Sequence, residues 1–399
     1  MRHSRPAAIR RWSPCAVAIF LVAPAAAHAQ KERVNLRAEL GAEYDSNVHR
    51  AEAVTGTSGR SVVGSPLGRL VLGWSAADRI GSSQDVAFSI LGAAKTFAKN
   101  EAHSENVGVV ETSGAWRLAL GDRMRLSLTA NHYEAVQAGT RTEQALSNDA
   151  RDFRSLVPTV HLARAIGESG TITLATGYRY FVYKPVRSYD FQAPVASLQY
   201  RLTQETSDGN ADWEFIAGAS VEFRRFQGSR LVTSPAGCTP VVGETADPPT
   251  CATVPDPTGT RHQDQFSSGY VELTRTGRVL VGGGYTLQWN RSNSFSETLL
   301  RHVAIVRFTA PLPLGFYLAA RTELVYVTYA EGVPLAIGPA GQLSATIDEE
   351  PRSHIRAELS RDIGKHLQLI ARYSYYVNPI GQVEYQRQTA TLSLAFMAE

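Results

Sequence analysis

The sequence predicts an all-β fold, a transmembrane antiparallel β-barrel of about 16 strands. Three observations carry that expectation. Beyond residue 30 no apolar run is long enough for a membrane helix. Alternation of apolar and polar residues with period 2 recurs in segments of about 10–15 residues. The connections between these segments alternate between long and short, as outer loops and periplasmic turns do in bacterial outer-membrane barrels.

The chain starts with a processing signal. Arg2, Arg5, Arg10 and Arg11 form a basic start, Cys15 to Ala27 is apolar, and Ala27-His28-Ala29 offers the small residues a signal peptidase reads. The apolar run is too short for an ordinary anchor helix. Residues 1–29 are therefore expected to leave as a signal peptide, with residues 30–399 as the barrel. The leader takes four of the 40 basic residues and no acid, leaving 36 against 37 acids, a net charge near −1. That balance argues against a nucleic-acid partner, which needs a basic patch in the mature chain.

The first strand is the stretch Leu36 to Asp45, with Leu36, Ala38, Leu40, Ala42 and Tyr44 on one face and Arg37, Glu39, Glu43 and Asp45 on the other. The alternation continues over 66–75, 84–98, 106–120, 122–134, 153–166, 170–183 and 191–202. It resumes over 211–224, 265–275 (weaker), 278–290, 298–310, 314–329, 353–362, 366–377 and 384–397. The long connections are about 46–65, 135–152, 227–264 and 330–352, with shorter members at 99–105, 184–190, 291–297 and 378–383. Between them lie tight turns such as Gly121-Asp122, Thr276-Gly277 and Ile363-Gly364-Lys365, and looser ones at 76–83 and 203–210.

A strand in lipid must satisfy its backbone through its neighbours, so only a closed barrel spans. Its outer face should be apolar, with aromatic girdles at the two interfaces. Trp74, Trp116, Trp213 and Phe316 fall near the expected periplasmic ends, and Tyr44, Phe223, Trp289 and Tyr326 near the outer ends. Arg154 and Arg164 share the apolar face with Leu156 and Leu162, and near strand ends they can snorkel to the headgroups.

The opposite face carries charge. Parity assigns to the pore lining Arg37, Glu39, Glu43, Asp45, Arg123, Arg125, Arg179, Arg201, Arg278, Arg321, Glu323, Arg356, Glu358 and Arg372. Arg69, Arg117, Arg301, Arg307 and Arg387 share it. So many charges cannot line a dry core. A barrel of this size has room for a water-filled lumen. The mature chain has only five Lys, so Arg supplies nearly all the positive charge. Rings of Arg with some Glu point to anionic solutes. A coding bias toward Arg, with lumenal charges paired into a transverse field, explains the same residues.

Cys238 and Cys251 are the only cysteines after the leader, and in an exported chain they are expected to form one disulfide. A loop of that size is worth roughly 3 kcal/mol in the loop-entropy model. No His/Cys spacing completes a metal site, and no G-x-S-x-G elbow, P-loop or H-E-x-x-H motif is present. The mature histidines are scattered singly. The chain is expected to need no cofactor and to carry no catalytic residue.

The stretch GAEYDSNV, Gly41 to Val48, followed by Arg50, resembles the first strand of porin-2 type outer-membrane barrels. Many of these are encoded with exopolysaccharide export machinery. The resemblance implies a channel or accessory barrel for surface polysaccharide. It rests on Tyr44, Asp45, Ser46, Asn47 and Arg50 and implies no catalytic role. Arg50 is expected to pair with the Asp45-Ser46-Asn47 turn. The C-terminal alternation of Ala390, Leu392, Leu394 and Phe396 resembles the signal read by the barrel assembly machinery, although Met397, Ala398 and Glu399 follow the aromatic residue.

The expected partners are outer-membrane lipid and lipopolysaccharide, that assembly machinery, and polysaccharide or small anionic solutes. Three functions compete: a channel, a structural or interaction barrel whose 227–264 loop binds a partner or plugs the lumen, and a hydrolase with a convergent nucleophile and base.

Overall fold

The computed structural model describes residues 33–49, 62–138, 152–184, 187–205, 212–239, 250–295, 297–330, 352–377 and 386–398. The expected signal peptide and Arg50 lie outside these residues. In chain order the strands are β1 (Arg33–Asp45), β2 (Ser65–Ile80), β3 (Gln84–Phe97), β4 (Val107–Ala119), β5 (Met124–Gln137) and β6 (Phe153–Ile166). Then come β7 (Gly170–Tyr183), β8 (Phe191–Glu205), β9 (Asp212–Ser229), β10 (Leu231–Thr239), β11 (Thr250–Pro255) and β12 (Arg261–Thr276). The last six are β13 (Leu280–Ser292), β14 (Leu299–Pro311), β15 (Phe316–Tyr329), β16 (Ser353–Ile363), β17 (Leu367–Val377) and β18 (Gln386–Ala398).

Sixteen of these strands close into one antiparallel barrel. Each pairs with its sequence neighbour, β9 pairs with β12, and β18 returns to β1. Closure leaves no strand edge unpaired, which is what a lipid surround demands. Among the described residues no helix is long and apolar enough to cross a membrane. The alternation read from sequence is the alternation of the walls. Leu40, Leu72, Leu174, Leu324 and Leu392 point outward and are exposed, while their strand neighbours point inward. All eight girdle aromatics sit on the outward register, six of them near strand ends, with Trp74 and Phe223 further inside β2 and β9; Trp116, its indole N–H on Gln84 Oε1 at 3.0 Å, and Phe316 are half-exposed.

Two connections differ from expectation. The looser link at 76–83 is a tight turn: β2 continues to Ile80 and Gly81, at φ 68°, starts the reversal into β3. That left-handed conformation costs Gly little. The long loop 227–264 is shortened from both sides, because β9 runs to Ser229 and β12 starts at Arg261. Between them β10 and β11 form a two-stranded ribbon in which Cys238 and Cys251 are register partners.

Inside the barrel, six rings on six neighbouring strands form a continuous row toward the outer end. Tyr133, Phe153, Phe181, Phe191 and Phe226 follow one another with centroids 4.9, 5.3, 4.8 and 5.1 Å apart, and His262 stacks on Phe226 at 3.9 Å and 5°. All six are buried. Pairs of this kind add about 0.5–1.5 kcal/mol each beyond the area they bury. The outer half of this side of the interior is thus packed.

Candidate functional site: the inner wall of the barrel

Three groups of inward-facing side chains concentrate charge. The first lies at the β18–β1–β2–β3 junction. Glu39 accepts from Arg37 Nη2 at 2.8 Å and from Ser393 Oγ at 3.1 Å, with Arg69 Nε at 3.4 Å. Glu43 takes Lys95 Nζ at 2.9 Å and Thr391 Oγ1 at 3.1 Å. Asp45 takes Arg387 at 2.6 Å and the Asn47 backbone N–H at 3.0 Å. These acids and their partners Arg69, Lys95 and Arg387 are buried. The expectation that such charges face a water-filled lumen is corrected here. Out of water each carboxylate is stable only with its cations and hydroxyls in place.

The motif Gly41 to Val48 is therefore the barrel's closing edge. Gly41 lies against β18 so closely that a Cβ would sit 2.7 Å from Ser393 Cβ. Ser46 Oγ accepts the Gln388 backbone N–H at 2.8 Å, and Asn47 Nδ2 donates to the Gln386 carbonyl at 3.2 Å. Arg387, from the far end of the chain, is a partner of Asp45 that sequence reasoning did not find.

The second group is a lateral row of arginines. Arg307 on β14 is the register partner of Arg321 on β15, which is the register partner of Arg356 on β16. Arg307 Nη1 contacts Glu272 Oε1 at 2.7 Å and Arg321 Nη2 contacts Glu323 Oε2 at 2.9 Å. Arg356 Nε donates to Ser374 Oγ at 3.3 Å. Arg372 pairs with Glu358 at 2.8 Å, Arg179 with Glu222 at 3.1 Å and Arg201 with Glu214 at 3.4 Å. Arg125 points inward at the start of β5 and is exposed. Arg123 and Arg278, placed on the lining by parity, sit instead in the reversals before β5 and β13. The strands there begin later than the alternation suggests. On the outer face Arg154 pairs with Glu134 at 2.8 Å rather than reaching for headgroups alone.

The third group lies where β12, β13 and the following outer connection meet. His262 Nε2 is 2.7 Å from Asp264 Oδ1 and 3.1 Å from Ser292 Oγ. Asn290 Nδ2 donates to Asp264 Oδ2 at 3.3 Å and to the Glu297 carbonyl at 2.7 Å. Burial pushes the Glu297 carboxyl well above the usual carboxylate range, Asp264 beside it adds to the rise, and His262 and Arg224 oppose it. The cluster has a serine, a histidine and an acid, yet Ser292 and Asp264 contact the same imidazole nitrogen. A relay needs the acid on one ring nitrogen and the nucleophile on the other. The sequence signal for this group was His262-x-Asp264 on one strand face; Glu297, on a separate connection, gave none.

The closed barrel, its outward apolar surface and its aromatic girdles define a bacterial outer-membrane β-barrel. No family model matches the chain, and no curated protein matches it. Solved structures of similar architecture exist. OmpT, an outer membrane protein of Vibrio cholerae, is 13% identical at a TM-score of 0.44, with 93% of this chain and 99% of that one covered. OccK8 (OprE) of Pseudomonas aeruginosa is 10% identical at 0.43, covering 92% and 98%. A bacterial polysaccharide outer membrane secretin is 7% identical at 0.40, covering 91% and 98%. Likeness at this level carries no argument about what this chain transports or does.

Proposed function

We propose that the chain is a porin-like channel that passes anionic solutes, acting without catalysis or a cofactor. The observation that carries this reading is the Arg307–Arg321–Arg356 row. Like charges directly opposite on neighbouring strands cost stability; Glu272 and Glu323 offset that cost for Arg307 and Arg321, and the row still gathers three cations side by side on the inner wall. Arg307 and Arg321 are 44% and 31% exposed toward the interior, open enough to meet a passing carboxylate or phosphate. An acidic exopolysaccharide is one such solute, and the resemblance of Gly41–Val48 and Arg50 to porin-2 type barrels favours it.

The same reading includes three further expectations: removal of residues 1–29, insertion through the assembly machinery into a lipopolysaccharide-bearing membrane, and a Cys238–Cys251 disulfide. The register pairing of the two cysteines supports the last.

The test is single-channel recording in planar bilayers under a salt gradient. Folded wild-type protein should conduct and favour anions, and Arg321→Glu with Arg356→Glu should move the reversal potential toward the cation side. Silence from folded wild-type protein overturns the channel. An unmoved reversal potential overturns the role of the row.

A further inference from the structure

We propose that His262, Asp264 and Glu297 bind a divalent cation, Zn2+ or Mn2+, at the outer end of the inner wall. One nitrogen and two carboxylates offer ligand atoms that all lie within 4.8 Å of one another. An ion held at about 2.1 Å from each ligand would draw them together by small side-chain shifts. His262 and Asp264, with Nε2 and Oδ1 at 2.7 Å, are already close enough to be adjacent ligands.

Two further observations point to unmet polar groups around these ligands. The Glu297 side chain is 4% exposed and makes no hydrogen bond or close ion pair with any described residue. The nearby cation Arg224 has its Nε 3.1 Å from Glu222 Oε1 and its guanidinium 4.4 Å from the Phe266 ring centroid, and its Nη1 is buried without a hydrogen-bond partner. Asn290 is fully buried, and its Oδ1 has no partner. Its amide nitrogen donates to Asp264 Oδ2 and to the Glu297 main-chain carbonyl, so Asn290 is tied to two of the three ligand residues. Buried carboxylates out of water are stable when paired or when they coordinate a metal.

The donor set narrows the ion. Imidazole with two carboxylates suits borderline divalent ions. Ca2+ prefers six to eight oxygens, more than the site supplies. The bound ion would pin the connection carrying Glu297 to the wall at His262 and Asp264, fastening one outer connection to the barrel.

The experiment uses the full mature chain without a histidine tag, folded in detergent, stripped with EDTA and equilibrated with ZnCl2 or MnCl2. After dialysis, elemental analysis should find about one ion per chain. Glu297→Gln and Asp264→Asn, each checked for folding by heat-modifiable gel mobility, should retain less than a tenth of it. Co2+ loaded into the wild-type chain should give an absorption spectrum with a nitrogen ligand, lost in His262→Gln. Wild-type protein that retains no ion, or a folded variant that retains as much as wild type, overturns the site. So does a Co2+ spectrum with oxygen ligands alone, which needs no variant to fold.

Discussion

Arg387 grips Asp45 across the β18–β1 junction, with Nη2 2.6 Å from Oδ2 and Nε 3.0 Å from Oδ1. Both side chains are out of water, at 6% and 1% exposure. The guanidinium also lies 5.3 Å from the Tyr376 ring centroid.

Breaking this pair from one side leaves a buried carboxylate without its cation. Arg387→Met should cost about 3–5 kcal/mol, read as a lowered urea midpoint for the folded barrel in detergent. Arg387→Met combined with Asp45→Asn should recover part of that loss. A single variant as stable as wild type would show that the seam is held by its backbone ladder alone.

Phe181 is stacked between Phe153 and Phe191, and is 2% exposed. Phe181→Ala should cost about 3–5 kcal/mol, the range for truncating a buried aromatic. Phe223, outward-facing and 47% exposed, should lose less than half as much on the same substitution. Equal losses in parallel urea titrations would contradict a packed outer half.

Asp256, beside the β10–β11 ribbon, accepts the Thr258 backbone N–H at 2.8 Å, and Arg230 Nε at 2.6 Å. These contacts, the backbone N–H foremost, bring its carboxyl down to about 2 from 3.8. A lowered folded value means the contribution is present above the unfolded pKa and lost as pH falls through the folded one. Pepsin at pH near 3 should therefore spare the peptide bonds around Arg230 and Asp256–Thr260 in wild type and cut them in Asp256→Asn, with sites mapped by mass spectrometry. Nicking of wild type at that pH would refute the anchoring.

The barrel was legible because a period of 2 records which face each residue takes, and lipid outside against charge inside makes that record strong over most of the barrel strands. Pairing across distance was not legible. Asp45 and Arg387 meet only through closure, and nothing local announces it. The row from Tyr133 to Phe226 went unread because its aromatics sit on the inward parity, where charge set the expectation. The signal available was their recurrence near the outer ends of consecutive strands. Arg123 and Arg278 misled because parity extends through a turn on paper, whereas the backbone there reverses.

The closing edge also sets an order of events. β18 comprises 13 residues and is the strand on which β1 closes the barrel. Until it arrives, Glu39, Glu43 and Asp45 lack Ser393, Thr391 and Arg387, and two strand edges stand open. Contacts so far apart in sequence carry a large loop-closure cost before they form. Without β18 the remaining strands keep the lipid-facing pattern of a barrel and have no means of sealing one.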